Sequence, residues 1–89
     1  MQSQTTEAYR KLLAQAPAAI QAKARNAYGL WVENPAHPSL RFKKVHSSLP
    51  VYAVRIDLNW RAVGVLKGGV MVWFWIGPHD EYERLLSSL

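Results

Sequence analysis

The chain has 89 residues, of which 49% are hydrophobic, a formal net charge of +5 and no cysteine. This length predicts a single domain, residues 1–89, and the lack of cysteine excludes disulfides and thiolate zinc ligands. No apolar run approaches the roughly 18 residues that a membrane span needs, and the polar residues 1–6 do not resemble a signal peptide. We therefore expect a soluble, cytoplasmic protein with a genuine core.

The first third of the chain predicts two helices. Residues 5–15 suit a short helix capped by Thr5 or Thr6. Pro17 fits the first position of a second helix, which ends at Asn34 because the residue before a proline disfavours the α region. One face of this second helix carries the apolar residues Ile20, Ala24, Ala27, Tyr28 and Trp31. Helices this close in sequence should form an antiparallel hairpin.

After Pro38 the hydrophobic period changes to two, which indicates β-strands. The predicted strands cover residues 40–43, 51–56, 61–66 and 70–76. The last strand is apolar on both faces and should be central or covered by a partner. We expect Trp73 and Trp75 on one face of it, within the core. The fold class is therefore α+β: an N-terminal helical hairpin packed on a twisted antiparallel β-sheet of three to four strands, followed by a short C-terminal helix over residues 80–89.

The positive charge is concentrated in the predicted sheet. Residues 41–67 hold six basic side chains and one acid, Asp57, whereas the rest of the chain has five side chains of each sign. The six basic residues are Arg41, Lys43, Lys44, Arg55, Arg61 and Lys67. A basic sheet face in a small protein indicates a polyanion binder, most often a nucleic-acid binder.

Short motifs follow one another over most of the chain, from about residue 20 to residue 86. They read Ala27-Tyr28-x-Leu30, then Asn34-Pro35-x-His37-Pro38-Ser39-Leu40-Arg41-Phe42-Lys43-Lys44, then Tyr52-x-Val54-Arg55-Ile56 with Trp60-Arg61-Ala62, and finally Trp73-x-Trp75-Ile76-Gly77-x-His79-Asp80-x-Tyr82. In this order and at these separations they resemble the RelE/ParE superfamily of toxins from bacterial type II toxin–antitoxin systems.

The resemblance implies a toxin that is neutralised by a cognate antitoxin. Its RelE-like branch implies metal-independent cleavage of mRNA on the ribosome, in which a 2′-hydroxyl attacks the adjacent phosphate. Its ParE-like branch implies non-catalytic inhibition of DNA gyrase, and a plain binding module is a third alternative. We expect no cofactor and no membrane partner. We also expect no metal site, because the histidines and acids show no ligand spacing.

Four residues are candidates for catalysis. Arg61 matches the arginine of the family's aromatic–Arg motif, and its fork suits two phosphoryl oxygens. Arg55 matches a basic position on the preceding strand. His79 lies where some branches place a catalytic histidine, and an imidazole can act as acid or base near neutral pH. Tyr82 matches an aromatic residue that stacks on a base or assists proton transfer, and packing in the core is the alternative for it.

Two departures from the family pattern affect this hypothesis. Ala53 stands where RelE-like enzymes often carry a lysine that acts as the base, so His79 would have to replace it. Residues 1–5 have little strand character, although members usually begin with a strand. Either that strand is short and poor, or it is missing and leaves a sheet edge open.

The remaining polar residues have simpler predicted roles. Contacts with RNA backbone, ribosomal RNA or an acidic antitoxin are predicted for Arg41, Lys43 and Lys44. Asp80 is predicted to cap the last helix, with orientation of the neighbouring imidazole as the alternative. His46 is interpreted as an exposed residue, with proton transfer as its alternative, and His37 as a structural residue.

Overall fold

The computed structural model describes residues 1–89, which form one five-stranded sheet with helices on both faces. The elements are β1 (Gln2–Thr5), α1 (Glu7–Gln15), α2 (Ala18–Glu33), β2 (Lys43–Lys44), β3 (Val51–Asp57), β4 (Trp60–Lys67), β5 (Val70–Pro78) and α3 (His79–Ser88). The strand order is β1-β5-β4-β3-β2. Helices α1 and α2 cover one face and α3 covers the other, which confirms the predicted α+β class. None of the three helices combines the length and apolar character that a membrane crossing requires.

The two N-terminal helices begin close to where the sequence predicted. The Thr6 hydroxyl accepts a hydrogen bond from the Tyr9 N–H at 3.1 Å and so caps α1. Pro17 precedes the first residue of α2. Four of the five apolar residues of the predicted α2 face are buried, and Tyr28 lies at the rim with 40% of its surface exposed.

The sheet has one strand more than the sequence predicted, and it is mixed rather than antiparallel. Strand β1 pairs in parallel with β5, from Gln2 opposite Val70 to Thr5 opposite Trp73. Its four polar residues gave no hydrophobic alternation, because β1 is held mainly by backbone hydrogen bonds at the sheet edge. Of the two alternatives for residues 1–5, the short strand is therefore the one that the structure has.

The predicted strand at residues 40–43 is wrong except at its last residue. Residues Pro38–Leu40 form a 3₁₀ turn, with the His37 ring as its cap: Nδ1 accepts the Ser39 N–H at 3.3 Å and lies 2.8 Å from the Ser39 hydroxyl. Arg41 then adopts a left-handed conformation with φ of 45°. The left-handed conformation of Arg41 ends the apparent alternation of the predicted strand. The contacts of the His37 ring confirm the structural role predicted for His37.

A β-bulge separates the two tryptophans of β5. Gly64 faces Trp73 and Val63 faces Trp75, so Phe74 has no partner residue on β4. The extra residue changes which face the following side chains occupy. Trp73 is therefore buried beneath α1 and α2, whereas Trp75 packs with the smaller cluster on the α3 face. The prediction that the two indoles share a face was wrong for this reason.

The α3 face carries a second, smaller core that fixes the position of α3. Tyr82 of α3 is 8% exposed and packs against Val51, Ala53 and Val63. These three residues come from β3 and β4, whose alternation places them on the same face. The start of α3 is thereby held beside the basic part of the sheet.

Candidate active site

The α3 face of the sheet contains a basic hollow of about 120 Å³ where β2, β3 and β4 meet the start of α3. We call it the first hollow, and its lining residues are Arg41, Lys43, Ala53, Arg55, Arg61, His79 and Tyr82. The four candidate catalytic residues all line it, together with two of the three predicted RNA contacts. No acidic side chain is among the lining residues. The predicted residues therefore converge on one surface that suits an anion.

Strand register brings the two arginines together. Arg55 of β3 lies directly opposite Arg61 of β4, and Ala53 lies opposite Lys43 of β2. Side chains at such positions on one sheet face have their Cβ atoms roughly 4.5–5.5 Å apart. Like charges placed opposite one another destabilise a sheet, so an anion bound between the arginines would relieve their repulsion. The methyl group of Ala53 leaves space at the floor of the hollow.

Arg61 is held in place by the turn between β3 and β4. Its Nη1 donates to the carbonyl oxygens of Asp57 at 2.8 Å, Trp60 at 3.0 Å and Leu58 at 3.3 Å. Burial lowers the pKa of Arg61, and the neighbouring Arg55 lowers it further. An arginine is still cationic at neutral pH after such a shift. The guanidinium is thus a fixed positive charge at the edge of the first hollow.

His79 stands at the first position of α3. Its backbone N–H donates to the Asn59 carbonyl at 2.7 Å, which ties the start of the helix to the β3–β4 turn. The side chain is 43% exposed, and its ring centroid lies 5.7 Å from that of Tyr82. The backbone of His79 is therefore anchored, and its imidazole is accessible to a ligand in the first hollow.

The carboxylate beside the imidazole is Glu83 rather than Asp80. Glu83 Oε1 lies 3.5 Å from His79 Nδ1, one helical turn along α3. Asp80 instead lies 4.0 Å from Arg84, and the capping position belongs to Pro78. The predictions for Asp80, both as cap and as orienting group, were therefore wrong. The i, i+4 spacing of a histidine and a glutamate on a predicted helix was the available signal for this contact.

Tyr82 has a phenol that is difficult to ionise. Burial raises the pKa of Tyr82, Arg61 partly offsets this, and Glu83 adds to the increase. The hydroxyl is therefore protonated at neutral pH and can donate a hydrogen bond into the first hollow. The ring packs in the smaller core, which is one of the two settings predicted for this residue, and it also lines the first hollow.

Lys44 and His46 also lie outside the first hollow. Lys44 borders a neighbouring depression that Lys43 shares. His46 has its ring occupied: Nδ1 accepts the N–H groups of Ser48 at 3.1 Å and Leu49 at 2.9 Å, and Nε2 lies 3.2 Å from the Leu89 carbonyl. His46 thus stabilises a turn, which is a structural role that the sequence did not predict. No three His, Asp or Glu side chains are grouped as metal ligands would be.

The family of the chain follows from its sequence. A family model described as a ParE-like toxin domain matches residues 18–84. The chain therefore belongs to the ParE-like toxin domain family, and its predicted membership of the RelE/ParE superfamily is confirmed. No curated protein matches the sequence significantly.

Solved structures of toxins share the fold at low sequence identity. A chain of the RelB–RelE antitoxin–toxin complex from Methanococcus jannaschii is similar, with a TM-score of 0.72 and 13% identity over 91% of this chain and 95% of that one. YafQ from Escherichia coli BL21(DE3) gives a TM-score of 0.73 at 13% identity, covering 90% and 94%. A chain of the RelBE2 toxin–antitoxin complex from Mycobacterium tuberculosis gives 0.66 at 16%, covering 88% and 96%.

Proposed function

We propose that this protein is the toxin of a type II toxin–antitoxin pair and that it cleaves mRNA on the ribosome without a metal ion. The observation that supports this proposal is the shared first hollow. Two arginines, an accessible imidazole and a protonated phenol line it, and no acidic side chain is among its lining residues. Cations that stabilise phosphoryl oxygens and groups that move protons are the parts that this chemistry requires.

Four of the lining residues have a defined role in the proposed reaction. Arg55 and Arg61 bind the phosphoryl oxygens and stabilise the charge that develops on them in the transition state. His79 removes the proton from the 2′-hydroxyl, whose oxygen then attacks phosphorus. The bond to the 5′-oxygen breaks, and Tyr82 donates a proton to that oxygen. The products are a 2′,3′-cyclic phosphate and a 5′-hydroxyl, and proton exchange with solvent resets the two side chains.

The test is cleavage of mRNA on purified, stalled ribosomes. The unmodified protein should cut the mRNA and leave 2′,3′-cyclic phosphate ends. His79→Gln and Tyr82→Phe should each slow cutting about 100-fold or more, since proton-transfer groups contribute on the order of 100- to 10,000-fold. Arg84→Gln, which changes an exposed residue of the same helix, is the matched control. Intact mRNA after prolonged incubation with the unmodified protein would contradict the proposal.

A second candidate function is inhibition of DNA gyrase by binding. Two observations favour it: the family model is that of a ParE-like toxin domain, and Ala53 stands at the position where RelE-like enzymes often carry a lysine base. This alternative predicts that plasmid supercoiling by purified gyrase stops when the protein is added, and that His79→Gln inhibits equally well. Normal supercoiling at a large excess of the protein would eliminate this alternative.

We also propose that an antitoxin binds the groove between α1, α2 and β1. Two of the similar structures are antitoxin–toxin complexes by their own description. The groove, about 400 Å³ in volume, has an apolar floor that includes Leu13 and Tyr28, while Arg10 and Arg25 line it without an acidic neighbour. This combination suits an acidic amphipathic segment. Arg25→Glu should weaken binding of a co-expressed antitoxin at least tenfold in titration calorimetry, and unchanged affinity would exclude this groove.

A further inference from the structure

The outward face of α2 carries a glycine with two exposed apolar side chains beside it. Gly29 lies inside the helix, although glycine destabilises a helix interior relative to alanine. Apart from the helix backbone and the chain neighbours, no atom lies within 4 Å of the position that a Cβ would occupy there. The fold of the single chain therefore does not require glycine at this position. Leu30 and Val32 are 36% and 49% exposed, so the surface around Gly29 is apolar and open to the close approach of another backbone.

Two opposite charges flank Gly29 at equal spacing. Arg25 lies four residues before it and Glu33 four residues after it, so the three residues form one i±4 ridge on the helix surface. Both charged residues are exposed, and neither forms an ion pair within the chain. Lys23 of the same helix, by contrast, is paired with Asp57 of β3 at 3.2 Å. The ridge thus has a free positive end and a free negative end, with the glycine at its centre.

We infer that this face binds a second copy of the chain, related to the first by a twofold axis that passes beside Gly29. Such an axis places Arg25 of each copy opposite Glu33 of the other, which gives two equivalent ion pairs. Two helices cross most commonly at about −50° by packing their i±4 ridges together, and this crossing sets the charged ends side by side. Glycine at the crossing point lets the backbones approach closely, while Leu30 and Val32 lie on either side of the ridge and supply apolar contact.

The charge pattern favours a second copy over a different partner, because each charged end meets its counterpart without any further group. The rest of the molecule is compatible with this arrangement. The first hollow lies on the α3 face of the sheet, and α2 covers the opposite face, so the basic surfaces of the two copies point away from each other. Two crossing helices bury less than the roughly 800 Å² per partner of a standard interface. The dimer should therefore be weak and depend on protein concentration.

The test is sedimentation velocity of the purified protein over about a hundredfold range of concentration in the micromolar region. The unmodified protein should pass from monomer to dimer within this range. Glu33→Arg turns both ion pairs into repulsions and should weaken the dimer about tenfold or more. The double variant Arg25→Glu/Glu33→Arg restores opposite charges at both ends of the ridge, so it should recover the dissociation constant of the unmodified protein to within about threefold.

A second variant tests the close approach of the backbones. Gly29→Leu should keep or raise the melting temperature, since a side chain has open space there and leucine is the better helix former. It should nevertheless remain monomeric throughout the concentration range. Glu81→Arg is the matched control for Glu33→Arg, because it makes the same change in net charge at an exposed position of α3. This control should form the dimer normally.

Three results would overturn the inference: a monomer at every concentration, a dimer that persists in Gly29→Leu, or a double variant that stays as weak as Glu33→Arg. The face could instead belong to an antitoxin, and Glu33 distinguishes the two occupants because it does not line the α1–α2 groove. If the unmodified protein is monomeric and Glu33→Arg weakens binding of a co-expressed antitoxin, the outward face of α2 binds the antitoxin and the inference is wrong.

Discussion

The substitution Arg55→Gln should raise the free energy of unfolding of the protein and weaken its binding to RNA. The guanidinium of Arg55 stands opposite that of Arg61 with no carboxylate between them. Two unit charges about 6 Å apart repel by about 0.7 kcal/mol in water and about 2.8 kcal/mol at an effective dielectric constant of about 20. Cross-strand pairs of exposed or half-buried residues fall near the lower figure, at about 0.2–1 kcal/mol.

Arg55→Gln keeps much of the side-chain length and removes this repulsion. We expect the free energy of unfolding to rise by about 0.5–1 kcal/mol, which raises the melting temperature of a domain of this size by about 2–8 °C. The gain should shrink in 1 M NaCl, where the Debye length is only about 3 Å. Thermal unfolding followed by circular dichroism at low and high salt measures both effects.

The control for this experiment is Arg84→Gln. Arg84 is exposed on α3, and its ion pair with Asp80 is long, at 4.0 Å, and solvent-exposed. Because such a pair contributes little, the loss of Arg84 should change the free energy of unfolding by no more than about 0.5 kcal/mol. A melting temperature of Arg55→Gln below that of the unmodified protein would refute the electrostatic reasoning. A gain that is the same at both salt concentrations would refute it equally.

Three further predictions concern the backbone and one carboxylate. Arg41→Gly should raise the free energy of unfolding by about 1 kcal/mol in chemical denaturation, because glycine removes the left-handed strain of φ 45°; an equal gain from Arg41→Ala would contradict this cause. Burial raises the pKa of Asp57, but hydrogen bonds from a backbone N–H and the Lys23 ammonium bring it below 3.8. Ionised Asp57 therefore stabilises the folded protein above about pH 4, and this stabilisation is lost as the pH falls through the lowered pKa of Asp57 in the folded state. The melting temperatures of Asp57→Asn and the unmodified protein should accordingly differ at pH 7 and become equal at low pH. Gly64→Ala should cost about 1–3 kcal/mol in denaturant titration, because a Cβ there would lie 2.9 Å from the buried Trp73 ring; unchanged stability would show that the bulge is flexible.

Much of the fold could be predicted because most of its elements are marked by burial. The apolar face of α2 and the alternation of β3 and β4 both reflect which side chains are buried in the folded protein. The sequence does not mark β1 in this way, since it consists of polar residues at the sheet edge that pair through the backbone. The sequence also did not reveal the bulge at Phe74, because an extra apolar residue does not change the hydrophobic pattern of a strand that is apolar on both faces.

The candidate site could be predicted in part for a similar reason. The period of two in residues 51–56 puts Arg55 and Ala53 on one face of the strand. The family motif pointed to Arg61, so only the correct strand order was still needed to bring these residues together. The partner of the imidazole was missed, because Asp80 is adjacent in sequence whereas Glu83 is adjacent in space. His46 was missed as a structural residue, since its contacts depend on a loop conformation that no periodicity encodes.

Phosphodiester binding in the first hollow is tested most directly by an NMR titration of the arginine side chains with a non-cleavable dinucleotide. The Nε–H signals of Arg55 and Arg61 should shift together and saturate at one ligand per protein, with matching shifts in the imidazole of His79. If the dinucleotide instead perturbs residues of the α1–α2 groove and leaves both guanidinium signals in place, the first hollow does not bind a phosphodiester and the nuclease proposal is wrong.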